Sequence, residues 1–296
     1  MKTIMYHYIR DNDSRSPYFN NLTKTTYLQQ VKRFEKKYGI IKSSDDLLKQ
    51  NKKILLTFDD GLKDHFFAAK VLSKINRIGI FFLPTLPLES KKILNVHKVH
   101  LILGKIKPLI ALEELKNYMK EKKIKLNFKN FKTKYKNTYK TFNDNVHKNE
   151  FKKIINYLIS DSILQTKLLD HLLNKFKIYP IHKDMYLNNK DIKEMLKMGM
   201  IIGSHSHSHT ILTNMDYKKQ LNEISTSMKI LKKRFKIDIK HFCYPYGGKI
   251  SYNLDTIRIL KQQGIERAFT IGGEDTNLLK VKKYDYEIKR YDCNEF

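Results

Sequence analysis

The chain has 296 residues, 41% of them hydrophobic and 11% aromatic, which suits one large α/β domain or two small ones and excludes wholesale disorder. No apolar run approaches the ~20 residues of a membrane span, and two cysteines, Cys243 and Cys293, are too few for a disulfide framework or a zinc ribbon. The 58 basic against 30 acidic side chains, a net charge of +28, admit phosphate, nucleic acid, anionic lipid or acidic glycan as partners. Yet the lysines are scattered in pairs (Lys36-Lys37, Lys52-Lys53, Lys122-Lys123, Lys232-Lys233) with no recognisable nucleic-acid module, so no specific nucleic-acid partner is expected. Met1 to His7 run straight into strand-like sequence without an apolar leader, from which a cytoplasmic protein is expected.

Strands then alternate with helices. Ile4–Ile9 reads as a short strand, and Thr26–Tyr38 has helical spacing (Tyr27, Val31, Phe34, Tyr38) that stops at Gly39. Lys53–Phe58 is nearly all apolar, as a parallel strand covered on both faces should be. It runs into Asp59-Asp60-Gly61, then a helix to about Ile75 and a buried strand Gly79–Leu83. From about residue 89 to 186 strands are lacking; helical periodicity and abundant Lys and Asn mark a helix-rich insertion, expected to shape the substrate site or an assembly contact. The α/β rhythm returns with a helix capped by Asn188 or Asn189 and ended by Gly199, then a strand Met200–Gly203. A helix Tyr217–Phe235, a strand His241–Tyr244, a helix Leu254–Gln263, a strand Arg267–Ile271 and a last strand near Tyr286–Tyr291 follow. Six or seven such βα units, with polar clusters at several strand C-termini, point to a parallel barrel, with an open parallel sheet as the alternative.

Two of those clusters carry chemistry. Asp59-Asp60 sets two carboxylates at the end of one buried strand, and His205-Ser206-His207-Ser208-His209 sets three imidazoles after another. Carboxylate oxygen with imidazole nitrogen suits Zn²⁺, Co²⁺, Ni²⁺ or Mn²⁺. An open Asp-His-His set leaves a coordination position for water, and a neighbouring carboxylate can serve as a base. Taken alone, Asp-Asp-Gly could be a turn and cap, and the histidine run a solvated loop. Together on two strand ends they argue for a site. Cys243, between Phe242 and Tyr244, reads as a buried small hydrophobe.

With Thr57-Phe58-Asp59-Asp60-Gly61, Gly203-Ser204-His205-Ser206-His207-Ser208-His209 and Phe242-Cys243-Tyr244-Pro245-Tyr246-Gly247 in this order, the chain resembles the polysaccharide deacetylases of carbohydrate esterase family four. The resemblance covers about residues 1–85 and 186–296. It implies a distorted (β/α) barrel of about seven parallel strands, one domain over 1–296 with the helical insertion at about 89–186, and metal-dependent removal of an N-acetyl group from an amino sugar. Carried over, Asp60, His205 and His209 would hold one divalent ion, Zn²⁺ first among the candidates. Asp59 would be the general base, and the backbone N–H of Tyr246 would stabilise the oxyanion, with Pro245 and Tyr246 walling the acyl pocket; His207 matches no ligand position.

The chain departs from the family in two places. No histidine follows Thr270, where a C-terminal Leu-x-His usually supplies the general acid. A subgroup active in surface-glycan synthesis instead opens with Tyr-His, here Tyr6-His7, so His7 is expected to be the acid and His241 is the weaker candidate. The arginine often found two residues before the proline is Cys243 here, so the group that orients Asp59 must come from elsewhere. The expected substrate is an N-acylated amino sugar, nucleotide- or lipid-linked or part of a growing glycan, handled at the inner face of the membrane; the basic surface suits a phosphate-bearing donor or an anionic bilayer. Removal of a formyl group by the same chemistry, a catalytically silent glycan-binding barrel, and charge-driven nucleic-acid binding are the competing readings.

Overall fold

Eight short strands, all paired in parallel, form one sheet: β1 Lys2–Tyr6, β2 Ile54–Phe58, β3 Ile80–Leu83, β4 Ile201–Ser204, β5 His241–Cys243, β6 Arg267–Phe269, β7 Asp285–Ile288 and β8 Tyr291–Asp292. The computed structural model describes residues 1–48, 52–126, 138, 144–272 and 285–296. These fall into two compact units, one of residues 1–11, 21–92 and 181–296 that contains the sheet, and one of residues 12–20 and 93–180.

The spatial order is β7-β6-β5-β4-β3-β2-β1-β8, so β1 to β7 lie side by side in sequence order, the simplest parallel topology, and β8 alone crosses to the far edge beside β1. The two edge strands are separated by Lys289 and Arg290 alone. One extended segment therefore pairs with β6 at its start (Arg267 opposite Asp285) and with β1 at its end (Ile4 opposite Tyr291). It draws the sheet round into the distorted (β/α) barrel that the family resemblance implies. The single last strand expected near Tyr286–Tyr291 is broken in two because it changes partner in mid-course.

In the sheet unit, helix α1 (Lys24–Lys37) starts at Thr23, whose side chain accepts from the Thr26 N–H, and stops at Gly39, whose N–H returns to Phe34 and Glu35 carbonyls. Helices α2 (His65–Lys74) and α3 (Leu86–Glu89) follow β2 and β3. The second unit holds α4 (Asn95–Lys105), α5 (Pro108–Glu121), α6 (Val146–Lys153) and α7 (Ser162–Lys175) around its own core of Val99, Ile102, Leu115, Phe151, Leu168 and Leu172. Part of the predicted insertion, residues 127–137 and 139–143, lies outside the described residues. The sheet unit resumes with α8 (His182–Met185), α9 (Asn189–Lys197, capped by Asn188 with Asp191 in a reciprocal box), α10 (Tyr217–Phe235, capped by Asp216) and α11 (Leu254–Gln262, capped by Asn253). No described helix is long and apolar enough to cross a membrane.

Every residue of β2 and β3 is buried. Phe58 stacks on Phe81 at 4.4 Å and faces Tyr27 of α1 and His65 of α2. Strand alternation then sends Thr57, Asp59 and Phe82 to the opposite, interior face. Gly203 is required where β4 passes them: a Cβ there would lie 2.5 Å from the Phe82 ring and 3.0 Å from the His241 carbonyl.

Two of this unit's buried histidines, His65 and His241, are driven toward the neutral form by burial. Burial pushes His65 down to about 4, against the pull of Asp64, and pushes His241 down to about 3, with Arg267 adding to the effect. Both folded values lie below the unfolded value near 6.5, so the unfolded chain binds more protons as pH falls, and stability is lost from about pH 6.5 downward. Urea unfolding of the metal-free protein is expected to weaken between pH 6.5 and 4, with each histidine contributing up to about 1.4 kcal/mol per pH unit. His241→Leu should flatten that fall by one such increment; unfolding free energies of variant and wild type that run parallel across these pH values contradict the assignment.

Candidate active site

The chain turns sharply at the end of β2. Asp60 and Gly61 both adopt left-handed backbone (φ 79° and 61°), free of cost for glycine and worth about 1–3 kcal/mol of strain for the aspartate. Pairing with the segment before α9 holds the turn: the Leu187 N–H donates to the Gly61 carbonyl, and the Lys63 N–H to the Met185 carbonyl, each at 2.9 Å. The result points the two carboxylates in different directions.

After β4, Ser206 and His209 are also left-handed (φ 63° and 58°). The Ser206 hydroxyl accepts from the His209 N–H at 3.1 Å, and the Ser204 hydroxyl accepts from the Ser206 N–H at 3.3 Å. This tight loop returns His209 to the side of His205, their ring centroids 4.7 Å apart. Nε2 of His205 lies 3.4 Å from Oδ1 of Asp60, and Nε2 of His209 lies 3.2 Å from the same oxygen. All three residues are buried, and their ligand atoms lie within 4.8 Å of one another. Bonds of about 2.0–2.1 Å to a tetrahedral ion place neighbouring ligand atoms about 3.3–3.4 Å apart, so these separations suit such an ion. The second nitrogen of His205, Nδ1, is 2.8 Å from the Cys243 carbonyl oxygen; donating there leaves Nε2 with its lone pair toward Asp60, the tautomer a cation requires. The donor set therefore fits a divalent ion.

Asp59 faces the barrel interior and meets Arg290. Nη1 and Nη2 of the guanidinium donate to Oδ1 and Oδ2, both at 2.7 Å. Arg290 is itself buried. Its Nε donates to the Thr270 carbonyl at 3.0 Å, Nη1 to the Thr57 hydroxyl at 3.1 Å and Nη2 to Cys243 Sγ at 3.0 Å. Burial alone would raise the Asp59 carboxyl, but the charge and hydrogen bonds of Arg290 outweigh it and hold Asp59 at about 2.

His7 follows β1 with its side chain 33% exposed, Nε2 lying 3.9 Å from Oδ2 of Asp59 and 4.0 Å from Oδ2 of Asp60. Its carbonyl is 2.9 Å from Nε2 of buried His65, while Asp64 accepts from the Ile9 N–H and from Arg10, so the start of α2 fixes the loop that carries His7. Tyr246, another left-handed residue (φ 63°), brings its ring to 5.1 Å from that of His209. His207 turns to Thr85, with Nδ1 2.8 Å from the hydroxyl. His241 opens β5, at the end of the strand away from the site, and packs against Phe269.

The sequence reading brought six residues together that are neighbours here, and it missed Arg290. The signal was faint but present. Only eight of the 58 basic residues are arginines, and one of these falls within the last strand expected near Tyr286–Tyr291, where buried bidentate pairing favours arginine over lysine. Cys243, small and fully buried, stands where the family pattern has its arginine, and the guanidinium of Arg290 packs against its sulfur.

A barrel of parallel strands with a carboxylate–imidazole cluster at their C-terminal ends has the layout of a (β/α)-barrel hydrolase. The polysaccharide deacetylase profile matches residues 116–268, just over half of the chain, and the chain belongs to the polysaccharide deacetylase family, hydrolases that deacetylate carbohydrates. The matched span includes His205, His209 and Tyr246, while Asp59 and Asp60 precede it. The fold is similar to that of the Streptococcus pyogenes deacetylase PplD solved with acetate (16% identity, TM-score 0.57, covering 98% of this chain and 92% of that one). It is likewise similar to a de-N-acetylase from Aggregatibacter actinomycetemcomitans (14%, TM-score 0.58, 98% and 94%) and to IcaB from Ammonifex degensii (14%, TM-score 0.52, 98% and 89%). At these identities the likeness is one of fold. No curated protein sequence matches the chain.

Removing Arg290 strands a buried carboxylate, so Arg290→Met is expected to lower stability by about 3–5 kcal/mol. Adding Asp59→Asn removes the stranded charge and should recover about 1–3 kcal/mol of that loss. A urea-unfolding double-mutant cycle reads the coupling; simple additivity would mean that the pair is not an interacting unit.

Proposed function

We propose that the chain is a metal-dependent N-deacetylase acting on an N-acetylated amino sugar, one catalytic domain interrupted by a helical insertion. The observation that carries this reading is the meeting of the Asp60, His205 and His209 donor atoms beside a separately held carboxylate, Asp59, at the C-terminal ends of β2 and β4. A divalent cation bound by the three, Zn²⁺ or alternatively Co²⁺, Ni²⁺ or Mn²⁺, supplies Lewis acidity and brings the pKa of water from 15.7 towards ~7.

The side chains divide the remaining work. Asp59, kept ionised by Arg290, accepts the proton of the attacking water as general base and is fixed in direction by both guanidinium nitrogens. His7 reaches the solvent side of both carboxylates and delivers a proton to the leaving amine. The Tyr246 N–H, in its strained turn, offers a donor to the oxyanion, an interaction worth about 3–4 kcal/mol where well placed. The substrate is a glycan or glycan precursor of surface polysaccharide synthesis, nucleotide- or lipid-linked, and the net +28 favours a phosphate-bearing donor or an anionic bilayer nearby. A silent binding barrel has no use for a buried carboxylate held by a dedicated arginine, which favours the enzyme.

Elemental analysis of the wild type is expected to give about one transition metal per chain after Zn²⁺ or Co²⁺ loading, and Asp60→Ala to hold none. A wild type without metal after loading overturns the reading. Acetate and formate release from N-acetyl and N-formyl amino sugars then separates deacetylase from deformylase. His7→Gln should lower kcat by about 10²–10⁴-fold with metal content unchanged; wild-type turnover in that variant removes His7 as the acid.

A further inference from the structure

We infer that Glu223 of α10 is a positioning residue that holds His209 in its metal-binding geometry, an inference that rests on the proposed Asp60–His205–His209 centre. Glu223 and Ser227 are buried, one helical turn apart on the same face of α10. They meet Ser208 and Ser204, which flank the histidines of the β4–α10 loop. Oε1 of Glu223 accepts from both the backbone N–H and the hydroxyl of Ser208, the latter at 2.9 Å, and the hydroxyls of Ser227 and Ser204 are 2.7 Å apart. Ser227 is anchored in turn on the Ile224 carbonyl at 2.8 Å.

The need for this clasp follows from the backbone. Ser206 and His209 lie in a region that β-carbon-bearing residues enter at a cost of about 1–3 kcal/mol each, and such a loop persists only if its surroundings over-determine it. On the other side the Leu86 N–H donates to the His207 carbonyl at 2.8 Å, and Thr85 holds the His207 ring. Ser208, directly before His209, is fixed through Glu223. Released from it, the peptide between the two can rotate, His209 can relax from φ 58°, and its Nε2 leaves Oδ1 of Asp60. Only Oε1 of Glu223 is engaged by Ser208, so an amide of the same length can do the same task, whereas a shorter carboxylate cannot reach.

The test is divalent-ion affinity, measured on the full chain by competition with a chromophoric chelator for Zn²⁺ and by the visible spectrum of the Co²⁺ form. Glu223→Gln should stay within about 3-fold of wild type, while Glu223→Ala and Glu223→Asp should bind Zn²⁺ about 10–100-fold more weakly, with an altered Co²⁺ spectrum. Wild-type affinity and spectrum in Glu223→Ala overturn the inference. Weakening in Glu223→Gln equal to that in Glu223→Ala also overturns it, since charge and not placement would then be what matters. Far-UV circular dichroism checks folding. If Glu223→Ala and Glu223→Asp do not fold, Ser208→Ala, which removes one of the two bonds, should weaken Zn²⁺ binding by about 3–10-fold, and unchanged affinity there overturns the inference. A wild type that binds no ion counts against the proposed function and not against the role of Glu223.

Discussion

The buried pair between Asp59 and Arg290 is the interaction on which the rest of the arrangement depends. Taking both charges out of water costs several kcal/mol per ion, and such a pair is sustained only when the remaining donors and lone pairs are also satisfied. Here they are. Arg290 uses Nε on the Thr270 carbonyl, Nη1 on Thr57 and Asp59, and Nη2 on Asp59 and Cys243, and it lies against the Phe82 ring. Those partners lie on or directly after β2, β3, β5 and β6, so the guanidinium sits inside the sheet's curve and ties its far sides together. It arrives there because the last segment leaves β6 and joins β1 across Lys289 and Arg290. The irregularity that breaks the final strand is what delivers the cation to Asp59.

Strain is distributed in a way that follows the chemistry. Among the described non-glycine residues with left-handed backbone, Asp60, Ser206, His209 and Tyr246 belong to the candidate site, whereas Asn76 and Lys236 end helices. Helix ends tolerate this conformation because the chain is leaving regular structure. At the site the surroundings must impose it, and the bonds that do so are close at hand: Leu187 on Gly61, Ser206 on His209, Glu223 on Ser208. Rigid loops on a parallel barrel are how a fold with ordinary strands presents unusual side-chain directions.

Much of this was legible in the sequence, and the reasons differ by feature. Long apolar runs such as Ile54–Phe58, and helix boundaries such as Asn188, Gly39 and Gly199, speak locally, so helices and strands fell close to where periodicity placed them. The Asp59-Asp60 and His205–His209 clusters announced themselves because uncommon residue types stood together after buried strands. What stayed hidden is non-local. The Arg290 side chain meets Asp59 across 231 positions, and no periodicity marks such a pair. Glu223 reads in sequence as an ordinary helix residue; only the register of α10 against the loop after β4 reveals its two bonds to Ser208. The closing of the sheet is likewise a property of which strand lies beside which.

Two adjacent carboxylates buried in one site repel each other and raise each other's pKa unless each has a cation. The left-handed turn at Asp60 resolves this by aiming them apart. Asp59 points inward to a cation built into the fold, which keeps it ionised and fixed. Asp60 points to two imidazoles whose Nε2 atoms stand at separations suited to tetrahedral coordination. An aspartate locked to arginine makes a poor metal ligand but a well-aimed proton acceptor, while one facing two imidazole nitrogens makes the reverse. The proposed division of labour between base and ligand therefore needs no difference in residue type. It follows from which neighbour each side chain is turned toward, and that is decided by a single peptide unit between Asp59 and Asp60.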